Sequence, residues 1–249
     1  MRINIVSSDK RYLTINELLL QQGYDSFICS YEEKSPCHCL LLPIREELSD
    51  TELEQVLSNT DKSTVVLCGN DKRVKRYFDG KILTYGQDKE LVLKNALLTA
   101  EAAISYIHSL TKSSLRDKRI FVSGYGKIGR EVCRLLKALG ACVLAYARRE
   151  ETKERIFLDG ITSAELEECI NCHIVINTVP AKIYPRSLTD KIPRDAYIVE
   201  LASSPFGFED MERVNVASGL PGRILEKSGA ELIFKAIISQ LSSMEGEFL

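Results

Sequence analysis

Short apolar runs alternate with segments of helical periodicity along most of this 249-residue chain. In its first part, predicted strands and helices alternate, which is typical of a parallel sheet. The predicted strands there are Ile3–Val6, Ser26–Ser30, His38–Leu42 and Thr64–Cys68, and the predicted helices are Tyr12–Gln22 and Thr51–Leu57. Residues 1–87 are therefore predicted to form a smaller N-terminal α/β domain.

One long helical pattern follows over residues 88–111. Its apolar positions recur every three or four residues and so predict one stripe of the helix. They are Leu93, Leu97, Ala100, Ile104 and Ile107. Because the pattern lies between the first domain and the next apolar strand, we interpret it as a helix that bridges two domains, with a cleft beside it.

The next apolar run, Arg119–Ser123, ends in a turn with the spacing G-x-G-x-x-G, formed by Gly124, Gly126 and Gly129. An amphipathic helix pattern begins at once and closes at a glycine, as helices commonly do. A second apolar run, Cys142–Ala147, completes strand, helix and strand. This is the context that the dinucleotide-binding fingerprint requires.

The three glycines have distinct physical roles in such a turn. Gly124 permits the tight turn, Gly126 lets the backbone approach a pyrophosphate, and Gly129 lets the helix pack close to the strand. The free N–H groups and the positive dipole end of the helix then hold the phosphates. We predict a nucleotide site; the alternative is a glycine-rich turn that binds no ligand.

The end of the second strand bears on which nicotinamide cofactor binds. NAD sites carry an acidic residue about 20 positions after the first glycine, where it binds the ribose 2′-OH. Here the strand ends in Arg148 and Arg149, with no acid before Glu150. Two guanidiniums suit a 2′-phosphate, so the sequence favours NADP(H) over NAD(H). The alternative is a solvated loop start, partly neutralised by Glu150 and Glu151.

Further patterns extend this unit into a doubly wound parallel sheet of the Rossmann type. The predicted elements are the helix Ser163–Glu168, the strands Ile174–Asn177, Tyr197–Ala202 and Val214–Ala217, and the closing helix Ser228–Leu241. We assign residues 112–225 to this nucleotide-binding domain and residues 226–249 to a C-terminal helix that crosses back to the N-terminal domain. The predicted fold class is α/β, with the two domains joined by the long bridging helix.

The composition narrows the classes of function. With 45% hydrophobic and 27% charged residues the chain can bury a core, and with a net charge of −2 and no basic run it is not expected to bind nucleic acid. No apolar stretch reaches about 18 residues, so no membrane span is expected. The first residues have the pattern of a strand rather than of a signal peptide, and we expect a cytoplasmic protein.

Eight cysteines bring disulfides, metal and haem into consideration. Without a secretory signal, reduced thiols are expected. Cys37–Cys39 and Cys169–His173 have the spacing of metal ligands, and the second has the C-x-x-C-H form of haem attachment. Neither has a second well-spaced pair, and the second runs directly into a strand, so we predict no metal site and no haem.

Ligands of doubly wound sheets bind beyond the carboxyl ends of the strands. The segments that follow predicted strands in this way are Ser7–Arg11, Asn177–Pro180, Ala202–Gly207 and Ala217–Arg223. The polar groups after the buried strand at Asn177 could orient a nicotinamide ring, while Pro180 stiffens the turn. The alternative is ordinary turn chemistry, because Asn, Ser and Pro favour turns.

Two further positions could face a substrate. Arg11 could bind a substrate carboxylate, although Asp9 or Ser8 in the same segment could equally cap the following helix. Glu101 on the bridging helix is flanked by small alanines, as a cleft-lining acid would be; the alternative is a solvated helix charge. No His lies at a strand exit of the predicted cleft, so a His–Asp proton relay is not supported.

Six segments along nearly the whole chain, taken in order, resemble the A-type subunit of bacterial dipicolinate synthase, a sporulation enzyme. They are Asn95–Glu101, Gly124–Arg130, Ala147–Arg148, Asn177–Ala181, Glu200–Pro205 and Leu220–Arg223. The chain departs from the family pattern at Ser7 and Ser8, which replace a glycine pair, and at Phe206, which replaces a glycine. Glu200 stands where Asp is usual, and Arg223 stands where Lys is usual.

The resemblance implies oxidation of dihydrodipicolinate to dipicolinate, with NADP+ accepting hydride and the N-terminal domain on the substrate side. The catalytic candidates are Glu101, Asp9 and Ser203. A small dicarboxylate needs cationic partners, and the substrate-binding candidates are Arg11, Arg223 and Thr99. Either Glu101 or water could take up the ring proton.

The predicted cofactor-binding residues lie in the glycine-rich turn, at the end of the next strand and at two later strand exits. They are Gly124, Tyr125, Gly126, Lys127, Ile128, Gly129, Arg148, Arg149, Asn177, Thr178, Val179, Pro180 and Ala202. The resemblance also implies a second, flavoprotein-like subunit of dipicolinate synthase, the B-type, and a location in the mother cell; a homodimer is compatible with the sequence. The alternatives are another NAD(P)-dependent dehydrogenase of a small carboxylic acid or imine, and a non-catalytic nucleotide-binding partner subunit.

Overall fold

The computed structural model describes residues 1–32, 36–45 and 48–243. The chain divides into two compact units, which we call the N-terminal unit (residues 1–95 with the segment from Leu225 onward) and the nucleotide unit (residues 96–224). Each contains one parallel sheet with helices between its strands. The predicted α/β fold class is confirmed.

The sheet of the N-terminal unit has five strands in the order β2-β1-β3-β4-β5. Its strands are β1 (Arg2–Ile5), β2 (Asp25–Ile28), β3 (Cys39–Leu41), β4 (Val65–Cys68) and β5 (Ile82–Thr84). Its first helices are α1 (Arg11–Gln21), α2 (Asp50–Ser58) and α3 (Asp71–Val74). Pattern analysis missed β5 because all three of its residues are only half-buried, so no apolar alternation marks it.

The long predicted helix is present as α4 (Lys89–Thr111), but its buried stripe differs from the predicted one. The buried positions include Ala96, Ala100 and Ala103, whereas Leu93 and Leu97 are 57% and 45% exposed. Alanines allow close packing of the helix backbone, and the larger leucines lie beside that face. Leu93 and Leu97, which belong to the predicted apolar stripe, therefore lie outside the buried face of the helix.

The sheet of the nucleotide unit has six strands in the order β11-β10-β9-β6-β7-β8. They are β6 (Arg119–Ser123), β7 (Cys142–Tyr146), β8 (Thr162–Ser163), β9 (Ile174–Asn177), β10 (Tyr197–Glu200) and β11 (Val214–Val216). This is the doubly wound order of a dinucleotide-binding sheet, whose strand order reverses between β6 and β9. The expected ligand crevice lies at the carboxyl ends of these two strands.

The remaining helices are α5 (Lys127–Ala138), α6 (Glu150–Leu158), α7 (Arg186–Thr189), α8 (Leu220–Ile224) and α9 (Glu226–Ser242). The closing helix α9 packs against α1 of the N-terminal unit. None of the helices in the described ranges combines the length and apolar character needed to cross a bilayer.

The predicted helix Ser163–Glu168 is wrong. Ser163 belongs to β8 at the edge of the sheet, and the backbone N–H of Ala164 still donates to the carbonyl of Ala145, at 3.0 Å. This pairing keeps the chain extended past the predicted helix start. A short 3-10 helix forms only afterwards, over Leu166–Asn171.

Candidate dinucleotide site

The glycine-rich turn after β6 is packed so closely that two of its glycines have no substitute. Gly124 has a φ of 91°, and a Cβ there would lie 2.4 Å from Thr178 Oγ1. A Cβ on Gly129 would lie 2.1 Å from the carbonyl oxygen of Gly124. The absence of a side chain at both positions therefore lets β6, α5 and the residues after β9 pack closely together.

Gly126 differs from the other two glycines. It is the N-cap of α5, has a φ of −79°, and a Cβ there would meet no atom within 4 Å. The protein itself therefore does not require a glycine at this position. The space opens beside the N-terminus of a 12-residue helix whose first turn carries no acidic residue. Such a site suits a phosphate group that must approach the backbone closely. Lys127 is exposed and Ile128 half-buried in the same turn.

Tyr125 anchors the turn from the protein side. Its hydroxyl donates to Asp159 Oδ2 at 2.9 Å, and Arg130 donates to both oxygens of the same carboxylate, at 2.8 and 3.0 Å. The hydrogen bond from Arg130 lowers the pKa of Asp159, while burial and the Asp159 hydrogen bond raise the pKa of Tyr125. The Tyr125 hydroxyl is thus engaged within the protein.

The two arginines after β7 are exposed. Within the described part of the chain, neither Arg148 nor Arg149 forms an ion pair, and Glu150 pairs instead with Lys153 Nζ at 3.1 Å. The guanidiniums are therefore open to an anionic ligand, and Glu150 does not neutralise them.

The side chains at the exit of β9 hold the protein together instead of facing solvent. Thr178 Oγ1 donates to the carbonyl of Ser123 at 2.8 Å, and Asn177 is fully buried. The Asn177 amide donates to Val179 O and to Glu200, and accepts from Ser123 Oγ at 2.7 Å. Asn177 and Thr178 therefore fix the turn, whereas Val179 is half-buried and Pro180 exposed.

Glu200 is a feature that the sequence analysis did not single out as a site residue. It ends β10 fully buried, and accepts from the backbone N–H groups of Ala202 (2.9 Å) and Gly207 (2.7 Å). Burial raises its pKa, and the hydrogen bonds from Gly207, Asn177 and Ala202 oppose that rise. Ser203, the catalytic candidate, is exposed in the loop between these two N–H groups. The sequence feature that could have indicated Glu200 is an acidic residue at the end of an otherwise apolar strand.

In the N-terminal unit, Asp9 and Arg11 pair with each other at the exit of β1. Arg11 Nε donates to Asp9 Oδ2 at 2.9 Å, and the side chains are only 10% (Arg11) and 14% (Asp9) exposed. Burial opposes the Arg11 charge, but the hydrogen bond and charge of Asp9 outweigh it and raise the pKa of Arg11. Asp9 Oδ1 also accepts the backbone N–H of Arg11, the first residue of α1, at 3.0 Å. The carboxylate proposed for catalysis is thus engaged by the backbone and the guanidinium of Arg11.

A buried tyrosine pair lies beside this ion pair, and sequence reasoning missed it. The hydroxyls of Tyr12 and Tyr85 form a hydrogen bond with each other. The backbone N–H of Ile44 donates to the Tyr12 hydroxyl at 2.7 Å, and the Tyr85 hydroxyl donates to the carbonyl of Leu42 at 2.8 Å. Burial raises the pKa of both phenols, so they stay neutral hydrogen-bonding groups. The pair joins α1 to the segments that follow β3 and β5.

The remaining candidates lie in the nucleotide unit. On α4, Thr99 is buried and Glu101 is exposed next to the buried Ala100 and Ala102. Arg223 is exposed on α8. Since Arg11 belongs to the N-terminal unit, the two-arginine clamp stays a prediction.

Three of the four cysteines in the two motifs are buried, namely Cys39, Cys169 and Cys172. Cys169 and Cys172 are buried in the apolar cluster of the nucleotide unit, and His173 Nδ1 accepts the backbone N–H of Arg119 at 3.0 Å. Among the described residues, no three His, Cys, Asp or Glu side chains are grouped as metal ligands. The eight cysteines are free thiols in the structure.

We expect eight thiols to react in denatured protein and Cys142 to react first in native protein. Cys142 is exposed, whereas burial raises the pKa of Cys39 and Cys169 to about 12 and suppresses their thiolates. Timed labelling with a thiol reagent, followed by peptide mass spectrometry, measures the order. Elemental analysis runs alongside; a stoichiometric zinc, or fewer than eight thiols, would contradict the prediction.

Comparison with known protein families indicates the class of protein to which the nucleotide unit is similar. Residues 95–203 match the family model described as D-isomer specific 2-hydroxyacid dehydrogenase, NAD binding domain. This match spans the glycine-rich turn, both arginines after β7 and the exit of β9. Together with the fold, it supports an oxidoreductase of the dehydrogenase type that takes a nicotinamide dinucleotide.

Comparison over nearly the whole chain then identifies individual proteins that it resembles. Over 225 residues the chain is 24% identical to the A-type subunit of dipicolinate synthase from Bacillus subtilis (strain 168), covering 86% of this chain and 69% of the relative. It is similar in structure to the same subunit from Bacillus halodurans (TM-score 0.79, 20% identity, 96% of this chain and 97% of that chain). A transhydrogenase from Sinorhizobium meliloti is also similar (TM-score 0.72, 18% identity, 97% and 94%). The resemblance to the A-type subunit of dipicolinate synthase is confirmed.

Proposed function

We propose that this chain is an NADP-dependent oxidoreductase subunit that oxidises dihydrodipicolinate to dipicolinate. The observation that carries the cofactor assignment is the open space at Gly126 on the same unit as two exposed arginines, Arg148 and Arg149. The resemblance to the A-type subunit of dipicolinate synthase supports the substrate. It also supports a flavoprotein-like second subunit, together with a location in the mother cell.

The reaction converts dihydrodipicolinate and NADP+ into dipicolinate, NADPH and one proton. The backbone at Gly126 and the N-terminus of α5 would hold the pyrophosphate, and Arg148 with Arg149 would hold the 2′-phosphate. NADP+, when bound, supplies the hydride acceptor. Aromatisation of the ring favours the products, so the protein acts mainly by positioning the two reactants. Arg11 and Arg223 are the proposed partners of the two carboxylates, and Glu101 or water takes up the proton.

The test combines binding and turnover in the purified protein. We expect calorimetry to show tighter binding of NADPH than of NADH, and dihydrodipicolinate oxidation to require NADP+. Turnover measured with and without a flavoprotein-like second subunit tests the partner. Binding of NADPH without turnover in either setting would contradict the catalytic proposal and favour a nucleotide-binding partner subunit.

Arg148→Ala is expected to weaken NADPH binding by about 1–3 kcal/mol, the size of a lost charge-assisted contact. NADH binding should change little, because that cofactor has no 2′-phosphate. Calorimetric titration of both cofactors measures the difference. Arg194→Ala is the control, since Arg194 is also an exposed arginine of the nucleotide unit. Equal weakening of both cofactors would contradict the role assigned to Arg148.

A further inference from the structure

A row of buried polar side chains runs across the ends of three neighbouring strands in the nucleotide unit. Ser123 ends β6 beside Asn177 of β9, and Asn177 is opposite Glu200 of β10 in the register of the sheet. All three are fully buried. Ser123 Oγ donates to Asn177 Oδ1 at 2.7 Å, and Asn177 Nδ2 donates to Glu200 Oε1 at 2.7 Å. The row thus links the strand ends on both sides of the point where the strand order reverses.

Glu200 closes the loop that follows its own strand. Its Oε1 accepts the N–H at the start of the loop, from Ala202, and its Oε2 accepts the N–H at the end, from Gly207. Ser203, Ser204 and Pro205 between them are exposed. One carboxylate therefore fixes both ends of a short exposed loop.

The same carboxylate joins this loop to the turn after β9. Asn177 Nδ2 donates to Glu200 and also to the carbonyl of Val179, at 2.9 Å. A Cβ on Gly207 would lie 2.3 Å from Asn177 Nδ2, so the loop returns directly against the amide. The turn after β9 and the loop after β10 are therefore held as one assembly.

The chemistry of the neighbours calls for a carboxylate at this position. In the described ranges, the hydrogen bonds to the Glu200 side chain all come from donors: the N–H groups of Ala202 and Gly207, and the amide of Asn177. A glutamine would turn an NH2 group toward at least one of these donors and leave that donor buried and unsatisfied. The buried charge is costly in itself, and the three donors that face it offset that cost.

We propose that Glu200 is a positioning residue for the nicotinamide half of the dinucleotide site. It acts through the turn at 178–180 and the loop at 202–207, which it holds in place before the ligand arrives. The adenosine half depends on Gly126, Arg148 and Arg149, which lie outside this assembly. This inference rests on the proposed nucleotide function, and it divides that site into two parts with separate determinants.

Glu200→Gln is expected to weaken NADP+ binding about tenfold, which corresponds to about 1.4 kcal/mol. Binding of adenosine 2′,5′-bisphosphate, which lacks the nicotinamide ribose and ring, should change by less than about twofold, well under the tenfold step. Calorimetry with both ligands measures the two constants. Glu212→Gln, an exposed glutamate of the same unit, is the matched control and should change neither.

A second variant, Glu200→Asp, keeps two acceptor oxygens and shortens the side chain. We expect it to show an intermediate loss for NADP+ with the bisphosphate again unaffected, which provides the test if the glutamine variant does not fold. Equal loss of both ligands, or of neither, would overturn the positioning role. If the unaltered chain binds neither ligand, the nucleotide function itself fails, a result distinct from failure of this inference alone.

Discussion

Gly126→Ala is expected to lower NADPH affinity by at least about tenfold while leaving the protein as stable as before. The added methyl group would occupy the space through which the backbone approaches the pyrophosphate. The structure itself offers no obstacle to it, since no atom lies within 4 Å of the new Cβ. The loss of chain entropy in the unfolded state favours Gly→Ala by about 0.4–1 kcal/mol, and the poorer N-cap preference of Ala opposes it by a similar amount, so little net change is expected.

Gly129→Ala is the contrasting variant three residues further along the same turn. Its Cβ would lie 2.1 Å from a backbone oxygen, which cannot rotate away as a side chain can. We expect the free energy of unfolding to fall by about 1–3 kcal/mol, as in other overpacked positions. Nucleotide binding should be lost with the geometry of the turn.

Chemical denaturation and calorimetry on the two variants separate a glycine needed by the ligand from a glycine needed by the fold. The central expectation is a stable Gly126→Ala protein that no longer binds NADPH. If this variant bound NADPH as tightly as the unaltered chain, the phosphate would not lie at α5.

Arg11→Met is expected to lower the free energy of unfolding by about 2–3 kcal/mol and to abolish turnover. The loss of stability arises because the Asp9 carboxylate is left largely buried without its partner. The loss of turnover arises from the proposed contact of Arg11 with a substrate carboxylate. NADPH binding should change little, because the nucleotide contacts belong to the other unit.

The double variant Asp9→Asn with Arg11→Met distinguishes these two effects. Without an unpaired charge, most of the stability should return, whereas turnover should stay absent. Arg2→Met is the control, because Arg2 pairs with Asp25 at the surface and such pairs contribute less than about 1 kcal/mol. If turnover returned together with stability in the double variant, the role of Arg11 would be structural only.

The elements with the clearest periodicity could be predicted from the sequence. The strands β6 and β9 and the long helix α4 lie within one or two residues of their predicted bounds, and α5 follows the glycine-rich turn as predicted. Their patterns are local, because an apolar run or an amphipathic repeat reports burial directly. The short edge strands β5 and β8 escaped prediction, since pairing with a neighbour, and not burial, makes them strands.

The site could be predicted only as far as its backbone. The glycine spacing identified the turn, because Gly124 and Gly129 are local steric requirements and Gly126 leaves space for a ligand. The hydrogen-bond partners of the side chains could not be predicted from local sequence. Asn177 and Tyr125 were predicted to bind cofactor, yet their side chains bond to Glu200 and Asp159, respectively, partners that are distant in sequence. Such contacts follow from the order of the strands in the sheet.

The packing of α9 on α1 has a consequence for synthesis of the chain. The nucleotide unit is continuous in sequence, so all of it is synthesised before α9 is made. The N-terminal unit is the first to be translated but the last to be complete, because Ile233 and Ile237 of α9 belong to its buried core. The face of α1 that α9 covers therefore stays exposed until the nucleotide unit and α9 have been synthesised, and such exposed apolar surface favours aggregation of a nascent chain.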